Sequence, residues 1–165
     1  MGPEILKGQS MYSVRTGLLC LSILAPSAAM AQMVDPAYPR SVVQAIQDLG
    51  YRAALETDTT GDPKIRSSIE GADYTIWFYG CQSDGTRCEA LHFSSGYDLT
   101  VPLTLAEVND WNRDKLVGRA YVSEDGAGYI DYYVEAKGGV PRPAFAEVVR
   151  MWGVAVADFH DLIDW

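Results

Sequence analysis

Histidine, cysteine and basic side chains are all scarce in this chain, and each shortage narrows the function. The two histidines and three cysteines are dispersed. Cys81 and Cys88, with six residues between them, lack the two further ligands that a zinc site needs. They also lack the two-residue spacing of a redox-active dithiol. Acidic residues outnumber basic ones, 22 to 13, for a net charge of −9. Nucleic acids and anionic membrane surfaces attract basic patches, so neither is an expected partner. No apolar run approaches the roughly 20 residues that span a bilayer, so stable membrane insertion is not expected. Gly138-Gly139 lacks the following Lys and Ser/Thr of a phosphate loop. Asp58-Thr59-Thr60-Gly61-Asp62 lacks the residue order of a calcium loop, and Pro63 interrupts it, so a solvated turn is expected. There is no glycosylation sequon. No metal or cofactor is expected.

What is present begins with an export pattern. Arg15 supplies positive charge, Leu18 to Leu24 form a short apolar run, and Ala29-Met30-Ala31 is a small-x-small cleavage site before Gln32. The expected signal peptide covers residues 1–31 and is cut after Ala31. Met11 is the alternative start, because Glu4 does not suit a leader. An uncleaved anchor or a buried helix is the competing reading. Leu18-Leu19 before Cys20 puts bulky residues where a lipoprotein needs a small one. The expected location is periplasmic or secreted. The remainder, with one domain over residues 38–163, keeps two cysteines, an even number suited to export.

Tyr74 to Cys81 and Cys88 to Phe93 flank Asp84-Gly85, a strong hairpin turn signal. A turn centred there pairs Ile76 with Phe93, Phe78 with Leu91, Trp77 with His92, and Cys81 with Cys88. The apolar face agrees with that register, and a structural disulfide follows. Closing so short a loop contributes about 2 kcal/mol.

Helical spacing marks Ser41 to Leu49 and, more clearly, Phe145 to Ile163 behind Pro141 and Pro143. Thr104-x-x-Glu107 is a capping box opening a second helix with Leu105, Val108 and Trp111 on one face. Tyr51 to Glu56 and Lys64 to Glu70 read as strands. Val117 to Ser123 and Gly128 to Glu135 form another hairpin, with Val122 expected opposite Ile130 around Asp125-Gly126-Ala127. Strands and helices in blocks predict an α+β fold, an antiparallel sheet with three helices on one face.

Phe78-Tyr79-Gly80-Cys81, the stretch Trp111-Asn112-Arg113-Asp114-Lys115-Leu116-Val117-Gly118-Arg119-Ala120-Tyr121 leading to Asp125-Gly126, and the terminal helix with Trp152 and Phe159 resemble the bacterial YbjN family. The likeness covers residues 38–163. It implies a fold like that of type III secretion chaperones, which are usually dimers that bind extended client segments. The family is described as regulators of sensory transduction. It carries no established catalytic residue, so none is transferred. An export signal and a cysteine pair depart from its cytosolic members.

Catalysis by a nucleophile needs a base and an orienting group as well. His92 has no accompanying nucleophile motif, and a partly buried sheet histidine is the expected reading. His160 sits near the end of the last helix, where a cation is favoured. Arg113 approaches the end of the second helix, where it caps carbonyls or meets a partner carboxylate. Arg119 points outward in line with Tyr121 and opposite Tyr133, a setting for cation–π stacking. The face opposite the core therefore carries Trp77, Tyr79, His92, Tyr121, Tyr129 and Tyr133. A solvated face should be mostly polar, so these aromatics mark either a binding surface or a face covered by the second helix. The candidate partner-binding residues are Trp77, Tyr79, His92, Arg113, Arg119, Tyr121 and Tyr133. The expected protein is a non-enzymatic binding module for a protein or peptide, with homodimerisation implied by the resemblance. A hydrolase using His92 with a nearby acid is the alternative, and a purely structural protein is the third reading.

Overall fold

The computed structural model describes residues 1–2 and 33–165. Apart from residues 1–2, the expected leader and its cleavage point lie outside them. Helix α1 (Pro39–Asp48) starts on a proline, whose fixed φ suits a first helical turn, and buries Val42, Ala45 and Ile46. Strands β2 (Ala53–Thr57), β3 (Pro63–Ile69), β4 (Ala72–Tyr79), β5 (Ala90–Tyr97), β6 (Arg119–Val122) and β7 (Gly128–Glu135) form one antiparallel sheet in the order β2-β3-β4-β5-β7-β6. A short ribbon of β1 (Met33–Val34) and β8 (Val140–Pro141) leads into helix α3 (Arg142–Ile163). Two-residue strands are too short to show alternation, so the sequence pattern does not reveal them.

One sheet face is apolar because strand side chains alternate. Ile65, Ile76, Phe78, Leu91, Phe93 and Ile130 are all buried there. Helix α3 (Arg142–Ile163) lays Phe145, Val149, Trp152, Val156 and Phe159 against it. Phe93 is the hub, with its ring centroid 5.9 Å from Trp152 and 6.5 Å from Phe145. Each such side chain contributes roughly 1.5–3 kcal/mol through removal from water. The architecture is α+β, as expected, with α3 packed on the apolar face of the sheet.

Helix α2 (Leu105–Asp114) has the expected capping box: Thr104 Oγ1 accepts from the Glu107 N–H at 3.2 Å, and Glu107 Oε2 accepts from the Thr104 N–H at 2.8 Å. Trp111 turns inward, 5.5 Å and edge-on from Phe159, and its Nε1–H donates to the Gly118 carbonyl at 2.7 Å. Asn112 then closes the sheet edge. Its side-chain amide donates to the Ala120 carbonyl and accepts from the Ala120 N–H, both at 3.0 Å. It occupies the positions that another strand would use, which blunts β6 as a pairing edge. Helix α2 thus sits at the β6 edge and does not cover the outer sheet face.

The first hairpin has the expected ladder, with Trp77 opposite His92, Phe78 opposite Leu91 and Ile76 opposite Phe93. Its tip differs. The loop is the three residues Ser83-Asp84-Gly85, with Gln82 N–H donating to Thr86 O at 2.7 Å and Gly85 N–H to Gln82 O at 2.8 Å. Cys81 and Cys88 are bonded, as expected, but lie beyond the ladder ends at Tyr79 and Ala90.

The second hairpin corrects the expected register. Val122 faces Gly128, and Ala120 rather than Val122 faces Ile130. The loop is Glu124-Asp125-Gly126, closed by Ser123 N–H to Ala127 O at 3.0 Å. Gly126 sits at φ +89°, the left-handed third position of a three-residue hairpin loop, where an alanine would be strained. A centre one residue later would put Ala127 there.

Candidate functional site

The outer sheet face is built by the alternation that makes the inner one. Strand β4 presents Trp77 and Tyr79, β5 His92, β6 Arg119 and Tyr121, and β7 Tyr129, Asp131 and Tyr133. The register places His92 between Trp77 and Tyr133, and Asp131 between Ser94 and Arg119. Arg119 therefore faces Asp131, not the expected Tyr133.

Asp131 organises the cluster. Its side chain is only 5% exposed, yet it accepts from two strands. Arg119 grips it at both oxygens, Nε to Oδ1 at 3.1 Å and Nη2 to Oδ2 at 2.5 Å. His92 Nε2 lies 3.1 Å from Oδ2. Burial pushes the Asp131 pKa up, but the His92 and Arg119 hydrogen bonds and the Arg119 charge outweigh it and hold the carboxyl below its ordinary value. The same bond to Asp131 raises the Arg119 pKa. The Arg119 side chain is mostly open to solvent, and its guanidinium lies 5.3 Å over the Tyr121 ring, giving the expected cation–π contact. Tyr121 stacks on Tyr129 at 5.1 Å, and Tyr79 meets His92 edge-on at 5.6 Å.

Beside this cluster a cleft of about 780 Å³ opens between the sheet and the chain joining α2 to β6. Four of the expected site residues line it: Tyr79, His92, Arg119 and Tyr133. Tyr79 and Tyr133 are about half exposed, at 49% and 55%, and Leu116 stands free at the mouth. Trp77 lies just outside, partly buried, with the Lys64 ammonium 5.6 Å over its ring. Tyr121 flanks the cleft through Arg119.

Arg113 is not part of it. On the outer side of α2, its guanidinium bonds Asp110 at 2.5 Å and Asp114 at 2.8 and 3.0 Å. It caps no carbonyl, because flanking carboxylates are nearer. His160 also departs from expectation. Its Nε2 lies 2.9 Å from the Tyr97 hydroxyl, and burial lowers its pKa, which favours the neutral ring over a helix-end cation.

Asp131 itself escaped the sequence reading. Its signal was there, a lone acid within Tyr-Ile-Asp-Tyr-Tyr-Val on the face shared by Tyr129 and Tyr133. A His–Asp hydrogen bond can orient a base. However, among the described residues the cleft lining contains no serine, threonine or cysteine to act as a nucleophile, and Lys115 is bonded to Asp158 at 2.7 Å. Exposed rings around a fixed, charged hydrogen-bond cluster suit recognition instead.

A family model described as "Putative bacterial sensory transduction regulator", YbjN, matches residues 39–165. The chain belongs to the YbjN family. Among solved structures it is similar to "YbjN, a putative transcription regulator from E. coli", at 16% identity and a TM-score of 0.51, over 75% of this chain and 93% of that one. That likeness is one of fold. No curated protein matches.

Proposed function

We propose that this member of the YbjN family is an exported, non-enzymatic regulatory module, working as a homodimer, that holds a segment of a protein or peptide partner against its open sheet face. One observation carries this reading: Tyr79 and Tyr133, both half exposed, share a cleft with the His92–Asp131–Arg119 cluster. Tyrosine and arginine are enriched at interfaces, where rings give apolar contact and a fixed guanidinium gives polar direction. The regulatory description of the family supports the role. The secretory pattern of residues 12–31 and the Cys81–Cys88 disulfide support an oxidising compartment such as the periplasm.

The test is photo-crosslinking from positions 79, 133 and 113 of the full-length protein in its native host, read by mass spectrometry. A shared partner captured from 79 and 133 but not from 113 supports the cleft. Capture that is equal from 113 refutes it. The Trp77→Ser/Tyr79→Ser double variant should lose the partner and keep its circular dichroism spectrum. N-terminal sequencing should find the mature protein starting at Gln32, and an intact leader would overturn export.

The hydrogen bond between His92 and Asp131 favours a second reading, a hydrolase with His92 as base. A broad hydrolase screen of wild type against His92→Ala decides it. Activity lost in the variant would establish the enzyme, and equal activity or none would dispose of it.

A further inference from the structure

We infer that the two copies of this module join through the free edge of the sheet, β2 to β2, around Leu55. This rests on the homodimer of the proposed function and adds the surface that makes it.

The sheet has two outer strands, and they are treated differently. The β6 edge is closed by the Asn112 amide on both main-chain groups of Ala120. Among the described residues, the β2 edge is not closed in that way. Asp58 N–H donates to Asp62 O at 2.8 Å, which marks a hydrogen-bonded pair at the start of the β2–β3 loop. Antiparallel pairing alternates, so Glu56 and Ala54 also turn their main-chain groups toward β3. Leu55 and Thr57 turn theirs outward, away from the sheet. Pro63, which has no N–H, sits opposite Thr57, as that alternation requires. Gln47 covers the Ala53 carbonyl alone, at 3.2 Å. An uncovered strand of this kind is a template for another strand.

Several features select a second copy of this chain as the occupant. A two-fold axis at Leu55 makes the strand face itself in the antiparallel sense, with Leu55 opposite Leu55 and Ala53 opposite Thr57. The same register sets Arg52 against Asp58 of the other copy. Oδ1 of Asp58 is taken by the Thr60 and Asp62 N–H groups and the Thr60 hydroxyl, which leaves Oδ2 for a guanidinium. Glu56 falls opposite Ala54, not opposite another acid, and its charge is met by Lys64 at 3.5 Å within its own chain. Leu55 and Tyr38, both exposed, line a shallow apolar hollow on the helix side of the strand. Pairing would cover it in both copies. For a strongly acidic chain a self-contact of this kind is favourable only where opposite charges meet, and here they do.

The test uses analytical ultracentrifugation of the protein over a concentration series, with three variants. Ala54→Lys places an ammonium opposite Glu56 twice per dimer, and should lower the dimer dissociation constant about 2- to 30-fold. Destabilisation cannot imitate a gain. Thr57→Pro removes an outward N–H without touching the β3 ladder, and should give a monomer with an unchanged circular dichroism spectrum. Leu55→Cys should form a disulfide-linked dimer on mild oxidation, whereas Glu56→Cys should not. A dimer whose dissociation constant is unchanged by Ala54→Lys and which does not cross-link at 55 overturns the β2 edge while leaving the homodimer in place. A monomer at every concentration overturns both.

Discussion

Replacing Arg119 with alanine exposes the energetics of the cleft. The Asp131 carboxylate is 5% exposed and accepts from Arg119 and His92. Removing one partner of a fully buried pair costs about 3–5 kcal/mol, because the other charge stays buried. The Arg119 side chain is 68% exposed, so water can enter where the guanidinium lay, and His92 keeps its bond. We therefore expect about 2 kcal/mol at neutral pH, or a Tm lower by roughly 5–8 °C. In the wild type the folded pKa of Asp131 is depressed, so its contribution is present above the unfolded value of about 3.9. That contribution is lost as pH falls through the lower folded value. Without Arg119, burial meets only the His92 bond, and the folded pKa rises. The variant's deficit should then shrink as pH falls from about 7 to about 4, since protonation relieves the buried charge. Urea denaturation of both proteins across that range measures it. Asp131→Asn removes the charge along with its desolvation cost, and should cost less than about 1 kcal/mol. A deficit for Arg119→Ala that is constant or grows on acidification would refute the reasoning. So would an Asp131→Asn variant less stable than Arg119→Ala.

The Cys81→Ser/Cys88→Ser variant should lose about 2 kcal/mol and keep its far-ultraviolet spectrum; two titratable thiols in the oxidised, exported protein would remove the bond. Gly118→Ala should cost about 2 kcal/mol or more by thermal melting, because at φ +83° its Cβ would lie 2.9 Å from Ile130 Cδ1 and 3.0 Å from Ala155 Cβ. Asn112→Asp should destabilise by about 1–3 kcal/mol in urea, since a carboxylate cannot donate to the Ala120 carbonyl it would then face; stability equal to wild type would mean that the edge closure contributes nothing.

The elements of this fold other than β1 and β8 were legible because each carries its own period or punctuation. Seven residues of α3 at helical spacing announce a long buried helix, and Thr104 with Glu107 announces where α2 begins. The first hairpin was legible down to the pairing of individual residues, because the cysteine pair and the apolar face both constrain it. Boundaries were less so: β2 and β5 begin two residues later than their composition suggests, at Ala53 and Ala90. What covers the outer face could not be read at all. That depends on Trp111 turning toward Phe159 and carrying α2 to the sheet edge, a tertiary choice that the helix's own periodicity does not encode.

The second hairpin shows why the site was harder to read than the fold. Side chains alternate with a period of two, so a slip of one residue turns every side chain over, and the apolar pattern forbids it. A slip of two restores every side chain to its face and leaves the pattern intact. Ala120 and Val122 both belong inside, and hydrophobicity cannot say which of them meets Ile130. Only the loop decides, through the position at which Gly126 takes up positive φ. The core is indifferent to that decision, but the outer face depends on it entirely. In one register Arg119 would stand over Tyr133. In the other it closes on Asp131, and a surface arginine becomes the clamp on a buried carboxylate. The chemistry of the cleft is therefore set by a turn at the far end of the hairpin.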